Sequence, residues 1–152
     1  MMTSVLTWPY WSWQNQFHLT SIQYPNIKPI CLPEVKANYK DSEGILTGWA
    51  FNGVNGFNYW LHEVNVSLIE TENRVEEKSQ MSGKIHESRF SCYGDTGGPL
   101  VVTDPANNDG LTLAGVMNKN DCNSVLTFSR VSMFIEWINS VVVNAATCPP
   151  PT

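Results

Sequence analysis

The sequence predicts an all-β domain, a barrel or sandwich, closed by one C-terminal α-helix. Three observations carry that expectation. Ten glycines and nine prolines in 152 residues, with charged residues at only 15%, describe a chain with many turns and little of the charge that coats a helical bundle. Between residues 64 and 70, Val64, Val66 and Leu68 alternate with Asn65, Ser67 and Ile69, close to the period of two of a half-buried strand. Near the end the period changes: Phe134, Trp137, Ile138, Val141 and Val142 fall at helical spacing. Strands first and one amphipathic helix last is the order of a β domain capped by a helix.

The opening stretch MMTSVLTWPYWSWQNQF has no basic leader, contains Pro9, and offers no simple apolar run ending in small residues, so it does not read as a signal peptide. Its Trp8, Tyr10, Trp11 and Trp13 suit either a stacking or docking patch or, more plainly, a strand-like segment that packs against something else. QYPNIKPICLP, residues 23 to 33, holds three prolines, which fix extended geometry and remove ladder donors; it reads as a connector, with the compact region beginning after it. Strand 64 to 70 comes next, and the charged run ETENRVEEKS reads as a solvated loop. Leu100 to Thr103 and Leu111 to Val116 flank DPANNDG, whose Pro105, Asn108 and Asp109-Gly110 supply turn geometry, so the two form a hairpin. Val125 to Arg130 gives one more strand. Ser132 is available to cap the helix, and Pro149-Pro150-Pro151 marks a stiff tail.

A net charge of -5 and the absence of any basic run argue against nucleic acid and against anionic membrane surfaces as partners. The longest apolar run, around Val141-Val142-Val143, is too short to span a bilayer as a helix. Four cysteines, Cys31, Cys92, Cys122 and Cys148, show no C-x-x-C pair, which disfavours zinc or a redox dithiol and favours two disulfides in an oxidising compartment. An extracellular location with no leader in these residues is reconciled by a missing N-terminal part. His18, His62 and His86 show no ligand spacing, so neither a metal nor any other cofactor is expected. Asn65-Val66-Ser67 meets the glycosylation sequon.

The densest motif is SCYGDTGGPLVV, residues 91 to 102, in which three glycines surround Asp95-Thr96. Cys92-Tyr93-Gly94-Asp95-Thr96-Gly97-Gly98-Pro99-Leu100-Val101 resembles the C-x-G-D-S-G-G-P-L-V block of the trypsin/chymotrypsin family, with threonine where the family has its nucleophilic serine. Pro29-Ile30-Cys31-Leu32-Pro33 is similar to the family's inter-barrel connector, Thr47-Gly48-Trp49 to its T-G-W-G strand, and Arg130-Val131, Phe134 and Trp137-Ile138 to its final strand and helix. The resemblance covers roughly residues 15 to 140 and implies the second, antiparallel Greek-key barrel of a two-barrel protease. It divides the chain into an aromatic segment (1–14), a connector (15–37), a barrel with its helix (38–143) and a Pro-rich tail (144–152).

The resemblance also implies roles, and here the chain departs from the pattern. Thr96 occupies the nucleophile position, and the backbone N–H groups of Gly94 and Thr96 match the oxyanion hole. Nothing matches the family's histidine base, and in Asn15-Gln16-Phe17-His18-Leu19 the carboxylate position is Gln16. An internal threonine without a base is a poor nucleophile, its methyl group stiffening χ1 and crowding the approach. Phe90 stands where trypsin-like members place an acidic pocket floor, and Asn118 begins a wall that differs from the family's S-W-G. Asp95, which in the family pairs with a freshly cut N-terminus, is expected to lack that partner.

Cys92 and Cys122 match two family cysteines bonded across the pocket, a link closing 30 residues and contributing about 3–4 kcal/mol. Cys148, extra to the family's helix, is available for Cys31. The reading is a trypsin-like serine protease homologue that has lost catalysis and binds a protein or peptide. The missing first barrel or a related protease is a further partner. The alternatives are an endopeptidase completed by a first barrel, or a fragment without activity.

Overall fold

The computed structural model describes residues 29–49, 60–69, 79–86, 94–105, 110–118 and 125–142. Six strands close into a barrel: β1 (Glu43–Gly48), β2 (His62–Ile69), β3 (Gln80–Ile85), β4 (Pro99–Asp104), β5 (Gly110–Met117) and β6 (Val125–Arg130), in the spatial order β1-β2-β3-β6-β5-β4. Every neighbouring pair is antiparallel. Three consecutive strands followed by a fourth that returns beside the first is the Greek-key arrangement. The all-β barrel with a C-terminal helix read from the sequence is therefore the fold.

Alternation explains most of these strands. In β2, Val64, Val66 and Leu68 are buried while Glu63, Asn65 and Ile69 are exposed. Leu46 of β1, Leu100 and Val102 of β4, and Leu126 and Phe128 of β6 complete the interior. Phe128 is the largest fully buried side chain, and its neighbours across the two adjoining ladders are both methionines, Met81 and Met117. Unbranched thioether side chains adapt their shape around a ring that β-branched residues would crowd.

Strand β3 (QMSGKI) is not legible in the sequence, because Ser82 and Gly83 interrupt the apolar period. Its glycine has a steric cause. A Cβ at Gly83 would run into Cγ1 of Val66, and would lie 3.3 Å from Cε2 of Phe128. The barrel closes around its largest residue because β3 gives up a side chain there.

The connector is more than a lead-in. Cys31 forms an isolated parallel bridge to Thr112, and Leu113 N–H donates to Cys31 O at 2.9 Å. Farther on, Lys36 N–H donates to Ser132 O at 3.0 Å, and Ser132 Oγ donates to Ala37 O at 2.8 Å. The compact region thus begins within the proline-rich stretch, earlier than expected. Buried Tyr39 follows, its hydroxyl donating to Asp104 Oδ2 at 2.6 Å and joining the connector to the end of β4.

Two expectations for the C-terminal helix are corrected. The helix is α1 (Ile135–Val141), preceded by a 3₁₀ turn over Val131–Met133, and its N-cap is Phe134 with no side-chain capping bond. Ser132 is turned to the connector and caps nothing. The apolar stripe read from the sequence is mostly open: Phe134, Trp137, Val141 and Val142 are exposed, Trp137 at 65%, Ile138 is half-buried, and Ile135, outside that stripe, is buried. A period of 3.6 fixes which side chains share a face, and leaves undecided what lies under it. No helix among the described residues is long and apolar enough to cross a membrane.

Phe128→Ala is expected to lower the unfolding free energy by about 3–5 kcal/mol, and Trp137→Ala to change it by no more than about 0.5 kcal/mol; urea denaturation of both variants checks the contrast. A pH dependence follows from Tyr39. Burial first, then the bond to Asp104, raises its hydroxyl far above the ordinary value of 10.0. The unfolded chain releases this proton near pH 10 while the native chain keeps it, so the contribution is complete below about pH 10 and is lost as pH rises above it. Stability measured from about pH 8 to 11 should fall above pH 10, and Tyr39→Phe should flatten the Tyr39 part of that fall.

Candidate functional site

The chain turns at Asp95-Thr96-Gly97-Gly98. Gly98 N–H donates to Asp95 O at 2.8 Å, closing a four-residue turn with Thr96 and Gly97 at its centre. Gly97 has φ +88°, and Thr96 is not among the residues with positive φ, which is the type II pattern: the third position needs a left-handed backbone that glycine supplies and a β-branched residue resists. Gly98 has a different reason, since a Cβ there would lie 2.8 Å from Asp95 O, the carbonyl that closes the turn. The sequence GDTGG thus places an exposed threonine at the crown of a fixed bend.

Two further bonds attach that bend to the barrel. Gly97 N–H donates to Met117 O and Met117 N–H to Gly98 O, each at 2.9 Å. Immediately after Met117, Asn118 is held across to β6: its N–H donates to Thr127 O at 2.9 Å, and its Oδ1 accepts from Ser129 Oγ at 2.8 Å. The structure thereby brings together three residues singled out in the sequence, Gly94, Thr96 and Asn118, at one end of the barrel. Gly94 and Thr96 are both exposed, and among the described residues neither donates its N–H to a backbone carbonyl.

Asp95 faces the opposite way from Thr96 and is 9% exposed. Its carboxylate rests on the end of β1: a Cβ at Gly48 would fall inside the envelope of all three carboxylate atoms. Gly48 is therefore fixed by the acid that packs on it, a reason the motif Thr47-Gly48-Trp49 alone does not disclose. Asp95 has a partner in the folded chain, while its Oδ2 is buried and makes no hydrogen bond among the described residues.

The remaining candidates named from the sequence fall elsewhere. Phe90, Cys92, Cys122, Cys148, Gln16 and His18 lie outside the described residues, and with them the pocket floor and the Cys92–Cys122 pairing. Cys31 is disulfide-bonded. His62 opens β2 and is exposed. His86, just past β3, has Nε2 2.9 Å from Ser67 Oγ, which itself donates to Glu43 Oε1 at 2.6 Å. Sequence reading misses this Glu43–Ser67–His86 chain, because its members come from β1, β2 and the end of β3 and meet only through the strand register. Among the described residues no group of three or more His, Cys, Asp or Glu side chains is placed to hold a metal.

The family model described as Trypsin matches residues 6–138 of this sequence. Among curated proteins, coagulation factor XII of Sus scrofa is 28% identical over 132 residues, covering 75% of this chain and 21% of that protein. Proclotting enzyme of Tachypleus tridentatus is 27% identical over 129 residues, 74% of this chain and 34% of that protein. Atrial natriuretic peptide-converting enzyme of Homo sapiens is 30% identical over 124 residues, 74% of this chain and 12% of that protein. The chain thus spans about a third or less of the length of these relatives.

The two constraints on the bend separate by substitution. Gly97 has nothing within 4 Å of a built Cβ, so Gly97→Ala meets only backbone strain, about 1–2 kcal/mol. Gly48→Ala must displace the Asp95 carboxylate and is expected to cost more than Gly97→Ala in urea denaturation.

Proposed function

The chain belongs to the trypsin family, and we propose that it works as a protein- or peptide-binding module without proteolytic turnover of its own. The observation that carries this reading is at Thr96: among the described residues, no base lies within hydrogen-bond distance of its hydroxyl. A hydroxyl near its ordinary acidity is a weak nucleophile, and serine-type catalysis depends on a neighbouring imidazole to take its proton. The one described histidine with a side-chain hydrogen bond, His86, meets Ser67 rather than Thr96. Gln16 at the position matching the family's aspartate, and a threonine where the family has serine, point in the same direction.

What the bend retains is suited to binding. Thr96 and Gly94 are exposed on a turn fixed by three backbone bonds, and neither N–H is taken by a backbone carbonyl among the described residues, so a carbonyl of a bound peptide could accept from them without being attacked. A partner of that kind would be a peptide segment, or the first barrel of a related protease. The disulfide at Cys31 and the names of the relatives, two of them clotting proteins, support an extracellular setting.

A second reading is favoured by the same intact bend. If a longer protein supplies the imidazole, the preserved oxyanion donors would serve a serine-type endopeptidase with a slow threonine nucleophile.

The 152-residue chain should hydrolyse a panel of peptide esters no faster than its Thr96→Ala variant. Turnover that disappears on Thr96→Ala would overturn the proposal.

A further inference from the structure

We propose that Asn65 is an N-glycosylation site, acquired while β2 is still unpaired, and that the glycan covers the outer face of β1 and β2. Asn65-Val66-Ser67 is the one N-x-[ST] sequence in the 152 residues, and its middle residue is not proline. The strand register turns the acceptor outward: Val64 and Val66 on either side of it are buried at 2% and 0%, and Asn65 is exposed. Its amide makes no side-chain hydrogen bond among the described residues.

The surroundings suit a sugar. Across the ladder Asn65 pairs with Ile45, and Ile45 pairs with Val101 on the far side. Ile45 is 38% exposed and Val101 is half-buried, so an apolar strip on β1 and β4 begins beside the acceptor. The C–H faces of a sugar ring shield such a strip from water while its hydroxyls stay solvated.

The hydroxyl of the sequon sets the timing. In the folded barrel Ser67 Oγ donates to Glu43 Oε1 at 2.6 Å, and Nε2 of His86 lies 2.9 Å from the same oxygen. These bonds exist only once β1 and β3 flank β2. Before that, Ser67 is free to be read as part of the motif. Transfer then joins Nδ2 of Asn65 to the anomeric carbon of a polyprenyl-pyrophosphate-linked oligosaccharide. The carbon–oxygen bond to the pyrophosphate breaks, polyprenyl pyrophosphate leaves with the electron pair, and the amide proton passes to a base of the transferring enzyme.

The inference rests on the extracellular part of the proposed function, and its test separates the two. The full chain is translated behind a secretory leader into microsomes, and only protease-protected product is scored, so the route is supplied and the acceptor alone is judged. The expected result is a mobility shift of one glycan, removed by peptide N-glycosidase with conversion of Asn65 to aspartate, and absent from Asn65→Gln. Protected wild-type chain without the shift, or a shift that persists in Asn65→Gln, would overturn the proposal. Asn65→Gln should unfold within about 0.5 kcal/mol of the unglycosylated wild type, as expected of an exposed site.

Discussion

The packing of the Asp95 carboxylate on Gly48 is the constraint from which the candidate site is built. The acid is buried at the end of β1, which aims Thr96, its neighbour in sequence, outward. Asp95 also supplies the carbonyl that closes the turn onto Gly98 N–H. One residue therefore sets both the position of the bend and its closure. Gly97 and Gly98 then follow from geometry, the first because the backbone runs left-handed and the second because the closing carbonyl occupies the space of a side chain. The bonds to Met117 carry this order into β5, and Asn118 carries it to β6.

The same economy of space governs the barrel interior. Phe128 fills the centre, and the adjoining strands accommodate it with residues that are flexible or absent: Met81 and Met117 beside it, and Gly83 where Val66 and the ring together leave no room. The connector is fastened at Cys31 and again at Lys36 and Ala37, so the chain is tied to β5 and to the 3₁₀ turn before the first strand begins. The support of the bend runs through backbone bonds and the packing of the Asp95 carboxylate, and among the described residues none of it passes through the threonine hydroxyl.

How much of this is legible in the sequence follows from what each signal measures. The alternation in β2, the turn chemistry between β4 and β5, and the run 125 to 130 all point to the strands observed, because burial on one face leaves a period-two trace. Strand β3 leaves none, since its central position is small for a reason located on another strand. The helix is legible in type but not in orientation, since the sequence shows a stripe and the structure decides what faces it. At the site, GDTGG announces a tight turn. The pairing of Gly48 with Asp95, 47 positions away, and the chain from Glu43 through Ser67 to His86 depend on register, which the sequence does not print.

Whether the bend binds or cleaves comes down to the acidity of a single hydroxyl. An active-site-directed phosphonate reacts only with an oxygen that gives up its proton readily, which makes mass spectrometry of the treated 152-residue chain the most direct measurement. On the proposed reading, with no base beside Thr96 among the described residues, Thr96 stays unmodified at reagent concentrations that fully label an active trypsin-family protease; a phosphonate adduct on Thr96 that is absent after denaturation would contradict it.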